Sequence, residues 1–141
     1  MSDAKPPRVS EPIGFVLDAS ALLALLQQEP GAARVAEVLP DAWISAVNLS
    51  EVVAKLVDHG VPSAALIPAL GQLGLKVHAF DGDAAIRAGD LRAATRAFGL
   101  SLGDRACLAL ALALGAVAMT SDRAWPGVAT ALPGIMIEMI R

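Results

Sequence analysis

Short apolar runs alternate with longer amphipathic stretches along this chain, and each run ends in a turn signal. Ile13–Leu17 reads as a short buried strand. Ser20 is the expected N-cap of a helix reaching about Gln28, where Glu29-Pro30-Gly31 ends it. A second helix covers about Ala32–Val38 and stops near Pro40, and Trp43–Ala46 is the next strand. Asn48 is the expected cap of a helix that closes at His59-Gly60, where Gly60 suits a left-handed C-terminal position. Pro62 opens another helix, ending between Gly71 and Gly74. Leu75–Phe80 alternates apolar and polar residues and predicts an edge-like strand. A helix follows from Asp81 or Asp83 to about Ala97, stopped by Gly99. Ser101–Leu114 is the next helix, Ala116–Thr120 the strand after it, and Ile135–Ile140 the last strand.

Strands alternating with helices imply right-handed β-α-β crossovers, hence an α/β fold with a parallel sheet covered on both faces. The 141 residues fit one domain, taken as 13–141, behind a polar, proline-bearing tail over 1–12 that is expected to be flexible. Hydrophobic residues make up 55% of the chain, above the usual share of roughly 45–50%. The surplus suggests an apolar face for self-association, with the helices near Val52–Val57 and Ala64–Leu70 as candidates. The longest apolar run, Ala106–Met119, is broken by Gly115 and falls short of the roughly 20 residues a membrane span needs. The start of the chain lacks the apolar core of a secretory signal, and Cys107 is the single cysteine. A cytoplasmic protein without an intramolecular disulfide is therefore expected, with Cys107 as inert packing.

Four carboxylates stand where apolar runs meet turns. Asp18 closes the first strand, Glu51 lies early in the helix after the second, Asp104 opens the apolar helix, and Asp122 follows the fourth strand. In an open parallel sheet the carboxyl ends of the strands share one edge, where ligands bind. Acids gathered there repel each other unless a cation sits among them. Taken singly, each has an ordinary reading. Asn48-Leu49-Ser50-Glu51 and Ser101-Leu102-Gly103-Asp104 both match a capping pattern, and Asp122 suits a turn. Asp18 resists such a reading, because Ser20 is available as the cap and a carboxylate directly after a buried strand is costly without a partner. Hard oxygen ligands favour Mg²⁺ or Mn²⁺ over zinc, and neither His59 nor His78 stands near another soft ligand. Arg105 and Arg123 each follow a proposed ligand and are read either as phosphate-holding or as surface residues; Thr120 either supports the site beside Asp122 or closes its strand. The net charge of −3 turns slightly positive once the four acids are set aside, so a phosphate-bearing substrate is compatible with it, although no basic stripe is visible.

These segments resemble the PIN-domain nucleases, and among them toxins of the VapC type. The resemblance rests on Val16-Leu17-Asp18-Ala19-Ser20-Ala21, Asn48-Leu49-Ser50-Glu51-Val52, Leu100-Ser101-Leu102-Gly103-Asp104-Arg105-Ala106 and Thr120-Ser121-Asp122-Arg123-Ala124-Trp125, in that order from about Ile13 to the C-terminus. It implies a three-layer α/β/α sandwich around a five-stranded parallel sheet and a Mg²⁺- or Mn²⁺-dependent endoribonuclease. It also implies a homodimer and a cognate antitoxin that blocks the site. Asp18, Glu51, Asp104 and Asp122 match the family's acidic positions, and Ser20 its nearby hydroxyl. The expected chemistry is attack of a metal-activated water on an RNA phosphodiester, leaving 5′-phosphate and 3′-hydroxyl ends. The tail before Ile13 departs from the usual toxin start.

Two other sheet-edge architectures fit poorly. A phosphoacceptor receiver carries an acidic pair after its first strand and a late lysine, whereas Asp18 stands alone and no lysine follows Lys76. A dehalogenase-type phosphatase needs Asp-x-Asp, and the chain has Asp18-Ala19-Ser20. A PIN-like module that binds metal, RNA or protein without turnover remains the alternative of a different class.

Overall fold

The computed structural model describes residues 14–141; the expected tail over 1–12, and Ile13 of the first strand, lie outside the described residues. Chain order runs β1 (Phe15–Leu17), α1 (Ala19–Leu26), α2 (Ala32–Val38), a 3₁₀ turn (Leu39–Asp41), β2 (Ala42–Ser45), α3 (Ala46–Asp58), α4 (Ser63–Gly71) and β3 (Lys76–His78). It continues with α5 (Gly82–Asp90), α6 (Arg92–Thr95), a 3₁₀ turn (Arg96–Phe98), α7 (Leu102–Leu114), β4 (Val117–Thr120), α8 (Trp125–Val128) and β5 (Met136–Met139).

The five strands form one sheet in the order β3-β2-β1-β4-β5, and all neighbours pair in parallel. Strand order therefore reverses at β1, the position at which doubly wound sheets open a crevice at their carboxyl edge. Side-chain alternation along the strands divides the interior into two cores. Leu17, Ile44 and Met119 are register partners on one face and pack with Leu22, Val35, Val52 and Leu56 of the first three helices. Val16 and Ala118, with Trp43 alongside, face the other way, onto Cys107, Leu108 and Ala111 of α7 and onto Trp125 and Val128 of α8. The expected three-layer sandwich with a five-stranded parallel sheet is thus the fold observed. Among the described residues no single helix is long and apolar enough to cross a membrane.

Several local expectations give way. Asp18, not Ser20, caps α1: its backbone is extended and its side chain accepts the Ala21 N–H. Ser45, not Asn48, caps α3, because β2 ends at Ser45 and the helix begins at once. The helix expected to reach Ala97 ends at Asp90 and resumes as α6 and a 3₁₀ turn. There Thr95 Oγ1 donates to the Leu91 carbonyl at 2.7 Å, a back-bond that bends helices. The short helix α8 is an addition, and its Trp125 is fully buried.

The far edge of the sheet is latched to the α1–α2 corner. Gly31 takes φ +97°, and a Cβ there would lie 2.7 Å from the Ile140 carbonyl oxygen, so the turn needs glycine for both its backbone and its close approach. Beside it Arg34 donates from Nε and Nη2 to both Glu138 oxygens, at 2.7 and 3.0 Å, joining α2 to β5. This bidentate pair holds the Glu138 carboxyl below its ordinary range.

The two-faced core predicts an uneven cost of truncation. Leu17→Ala, at a fully buried position, should lower unfolding free energy by about 2–5 kcal/mol in urea titrations. Val77→Ala, on the exposed edge strand, should stay within about 0.5 kcal/mol of wild type.

Candidate functional site

The reversal of strand order brings the ends of β1 and β4 side by side, and a polar network joins them. Asp18 directly follows β1 and is 5% exposed. Its N–H continues the ladder by donating to Met119 O at 3.1 Å. Its Oδ1 accepts from Ser20 Oγ at 2.6 Å and from Ala21 N at 2.9 Å, and its Oδ2 accepts from Thr120 Oγ1 at 2.5 Å. Thr120 ends β4 and is fully buried. The hydroxyls also accept: Ser20 Oγ takes the Ser121 N–H and Thr120 Oγ1 the Asp122 N–H, both at 2.9 Å. Asp122 in turn caps the following turn through Ala124 N. One carboxylate therefore both caps α1 and anchors the turn that carries Asp122.

A second group forms where α3 meets the first turn of α7. Asn48 is 2% exposed and donates from Nδ2 to Glu51 Oε1 at 3.1 Å and to Gly103 O at 3.0 Å. Glu51 lies directly against Gly103: a Cβ there would collide with the Glu51 carboxylate and stand 2.7 Å from its Cδ. Any other residue at 103 would have to push Glu51 away. Asp104, the next residue, closes a capping box: its Oδ2 accepts from Ser101 N at 2.9 Å and from Ser101 Oγ at 3.0 Å, while Ser101 Oγ takes the Asp104 N–H.

Asp18, Glu51, Asp104 and Asp122 all line one open cleft of about 490 Å³ at this sheet edge, together with Ser20, Asn48, Lys55 and Asp58. Their charges are coupled. Burial pushes the Asp18 carboxyl above its ordinary value; the bonds from Ser20, Thr120 and Ala21 oppose the shift, and repulsion from Asp104 adds to it. Glu51 is raised by partial burial and by Asp104, against the bond from Asn48. Cys107, one turn further along α7, lies fully buried; desolvation first, then the fields of Asp18, Asp104 and Glu51, push its thiol well up and keep it inert.

These residues suit a hard divalent cation by chemistry: every charged donor is a carboxylate oxygen, and Gly103 leaves the room that seats Glu51 in the cleft. Among the described residues no three His, Cys, Asp or Glu side chains converge within ligating reach of a single ion, and Asp104 is turned back into its capping box. The ordinary reading of the acids as caps and their convergence on one cleft are thus both present.

Of the other candidate residues, Ser20 and Thr120 support Asp18 directly. Arg105 turns away from the cleft and donates from Nη1 to Ala88 O at 3.0 Å, tying α7 to α5. Arg123 is exposed on the turn after Asp122 and outside the cleft lining. Asn48 sits in the interior rather than at a cap, and Lys55 and Asp58 also line the cleft. A signal for these exists: positions 48, 51, 55 and 58 follow helical spacing and mark one polar stripe on α3.

The fold is shared with several solved structures. A chain of the DNA-bound VapBC from Salmonella typhimurium is 24% identical, with a TM-score of 0.70 over 92% of this chain and 99% of that one. VapBC2 from Rickettsia felis, bound to a promoter DNA fragment, is 17% identical, with a TM-score of 0.66 over 89% and 97%. A toxin–antitoxin complex from Klebsiella pneumoniae is 20% identical, with a TM-score of 0.65 over 87% and 96%. No curated protein sequence matches the chain. The PIN-domain family model matches residues 15–130, from β1 through the Asp122 turn and α8, and the chain belongs to the PIN-domain family.

Proposed function

We propose that the protein is a metal-dependent endoribonuclease acting as the toxin of a toxin–antitoxin pair. The observation that carries this is the convergence of four carboxylates, from four separate segments, on one cleft at the carboxyl edge of the sheet. In this reading Asp18, Glu51 and Asp104 would hold Mg²⁺ or Mn²⁺ after side-chain rotation, with Asp104 leaving its capping box, because no three acids among the described residues stand within reach of one ion; Asp122 lies at the rim. Such an ion, when bound, supplies Lewis-acid stabilisation to the phosphoryl oxygens and makes water a competent nucleophile at neutral pH. The chain's own groups prepare the place. Ser20, Thr120 and the Ala21 N–H fix both oxygens of Asp18, and Asn48 and Gly103 fix Glu51. The uncompensated acids repel a phosphodiester, which makes entry of substrate conditional on a counter-charge.

The matched folds come from complexes named VapBC and toxin–antitoxin, which supports a cognate antitoxin protein as partner. Exposed Val57 and Ile67, on α3 and α4, support a homodimer; a monomeric mass by light scattering at micromolar concentration would count against it. A cytoplasmic site of action belongs to the same reading. The alternative, a PIN-like module without turnover, draws on the Asp104 capping box, which engages that acid structurally.

Incubation with structured RNA should give cleavage with Mg²⁺ or Mn²⁺ and none with chelator, and Asp18→Asn should abolish it. Wild-type rates in that variant would end the assignment. Gly103→Ala should keep the circular-dichroism spectrum and lower kcat by about 10²-fold, since displacement of a catalytic group by about 1 Å costs that much.

Stability should report the same charges. The folded-state pKa of Asp18 is raised, so its contribution is fully present below the ordinary carboxylate value and lost as pH rises through the raised one; Glu51 has the same sign. In chelator at neutral pH, Asp18→Asn should therefore equal or exceed wild type in calorimetric Tm, with the gap closing as pH falls. Mn²⁺ should raise the wild-type Tm at neutral pH and leave that of Asp18→Asn unchanged.

A further inference from the structure

The cleft is lined by five carboxylates and, among the described residues, by one cation, Lys55. Lys55 lies on α3 four residues after Glu51, one helical turn along the same face and about 6 Å further along the axis. It is exposed, and no carboxylate among the described residues comes within ion-pairing distance of its Nζ, although Glu51 and Asp58 stand on the same polar stripe. The other lysine among the described residues, Lys76, is engaged elsewhere: its Nζ lies 5.2 Å from the centre of the Trp43 ring and 3.5 Å from Pro40 O.

A polyanion entering this cleft meets repulsion on most sides and attraction at one point. We propose that Lys55 is a substrate-positioning residue, binding the backbone phosphate next to the scissile one and so setting the path of the strand along α3. This rests on the ribonuclease reading and adds to it a direction: the strand leaves the acids along the helix toward its C-terminal end. A lysine suits the task as a mobile point charge that takes phosphate without reading bases. Its step of one turn from Glu51 is comparable with the separation of consecutive phosphates on an extended strand. The competing account makes Lys55 a surface charge favoured by the C-terminal dipole of α3.

The test is binding and cleavage of a single-stranded RNA oligonucleotide by the full chain, across a salt series. Binding is measured by fluorescence anisotropy in Ca²⁺, and cleavage is measured in Mn²⁺. Lys55→Ala should weaken binding and raise KM by about tenfold at low salt, with kcat within about twofold, and should reduce the slope of log affinity on log salt by roughly one. Lys55→Arg should recover most of the loss, Lys55→Glu should deepen it, and Lys76→Ala should match wild type. Calorimetric Tm should stay constant across the series, which a purely structural role would not require. Unchanged binding, KM and salt slope in both Lys55→Ala and Lys55→Glu would overturn the inference and leave the nuclease reading standing. Loss of binding in Lys55→Ala with no cleavage by wild type would uphold Lys55 and remove turnover. Absence of both binding and cleavage in wild type would overturn both.

Discussion

Burial of a carboxylate at the carboxyl end of the sheet is the constraint on which this corner of the molecule depends: desolvation is the main force on Asp18, and repulsion from Asp104 a lesser one. Asp18 is almost wholly buried, and an uncompensated charge there would cost more than a small domain can spare. The fold offsets part of that cost with local dipoles: two hydroxyls and one backbone N–H converge on the carboxylate, and the hydroxyls are themselves oriented by the N–H groups of Ser121 and Asp122. The network can form because β1 and β4 are neighbours, and they are neighbours because strand order reverses at β1. Topology, hydrogen bonding and charge thus describe the same corner.

Most of the architecture could be read from the pattern of apolar runs. All five strands fall within the expected segments or shift by one residue, and the edge character of β3 follows from its alternation. The caps were harder to read, for a physical reason. Asp18 and Ser20 are both good capping residues two positions apart, and so are Ser45 and Asn48 at three. Which one caps depends on where the strand ends, and that is set by pairing with strands distant in sequence. Placing the α1 cap at Ser20 treats capping and the cleft as separate tasks; the Asp18 carboxylate caps α1 and also lines the cleft. Four-residue α8 escaped notice because Pro126 and Gly127 argue against a helix, and its existence depends on burying Trp125 under the sheet.

The site was legible as a set of acids but not as a shape. Nothing in the spacing of Glu51 and Asp104 reveals that Gly103 of α7 packs directly against the Glu51 carboxylate, or that Asn48 reaches across to its carbonyl. Those are contacts of high sequence separation. The direction of Arg105 was equally hidden: it follows a ligand candidate in the chain yet points a quarter-turn or more away on the helix, toward Ala88. The polar stripe at 48, 51, 55 and 58 was open to view, and needed only the assumption that its four residues share one helix face.

The shortness of β3 has a consequence for the protein in concentrated solution. An outermost strand offers unpaired backbone groups to any other chain, and long apolar edges seed fibrillar aggregates. β3 runs for three residues, opens with Lys76, and holds that lysine over Trp43 beside it. A second molecule approaching from this side would gain little ladder and would have to strip water from a cation. At the other edge β5 carries Glu138 in its pair with Arg34, so among the described residues each outermost strand holds a charged side chain, a feature that disfavours ladder growth between copies.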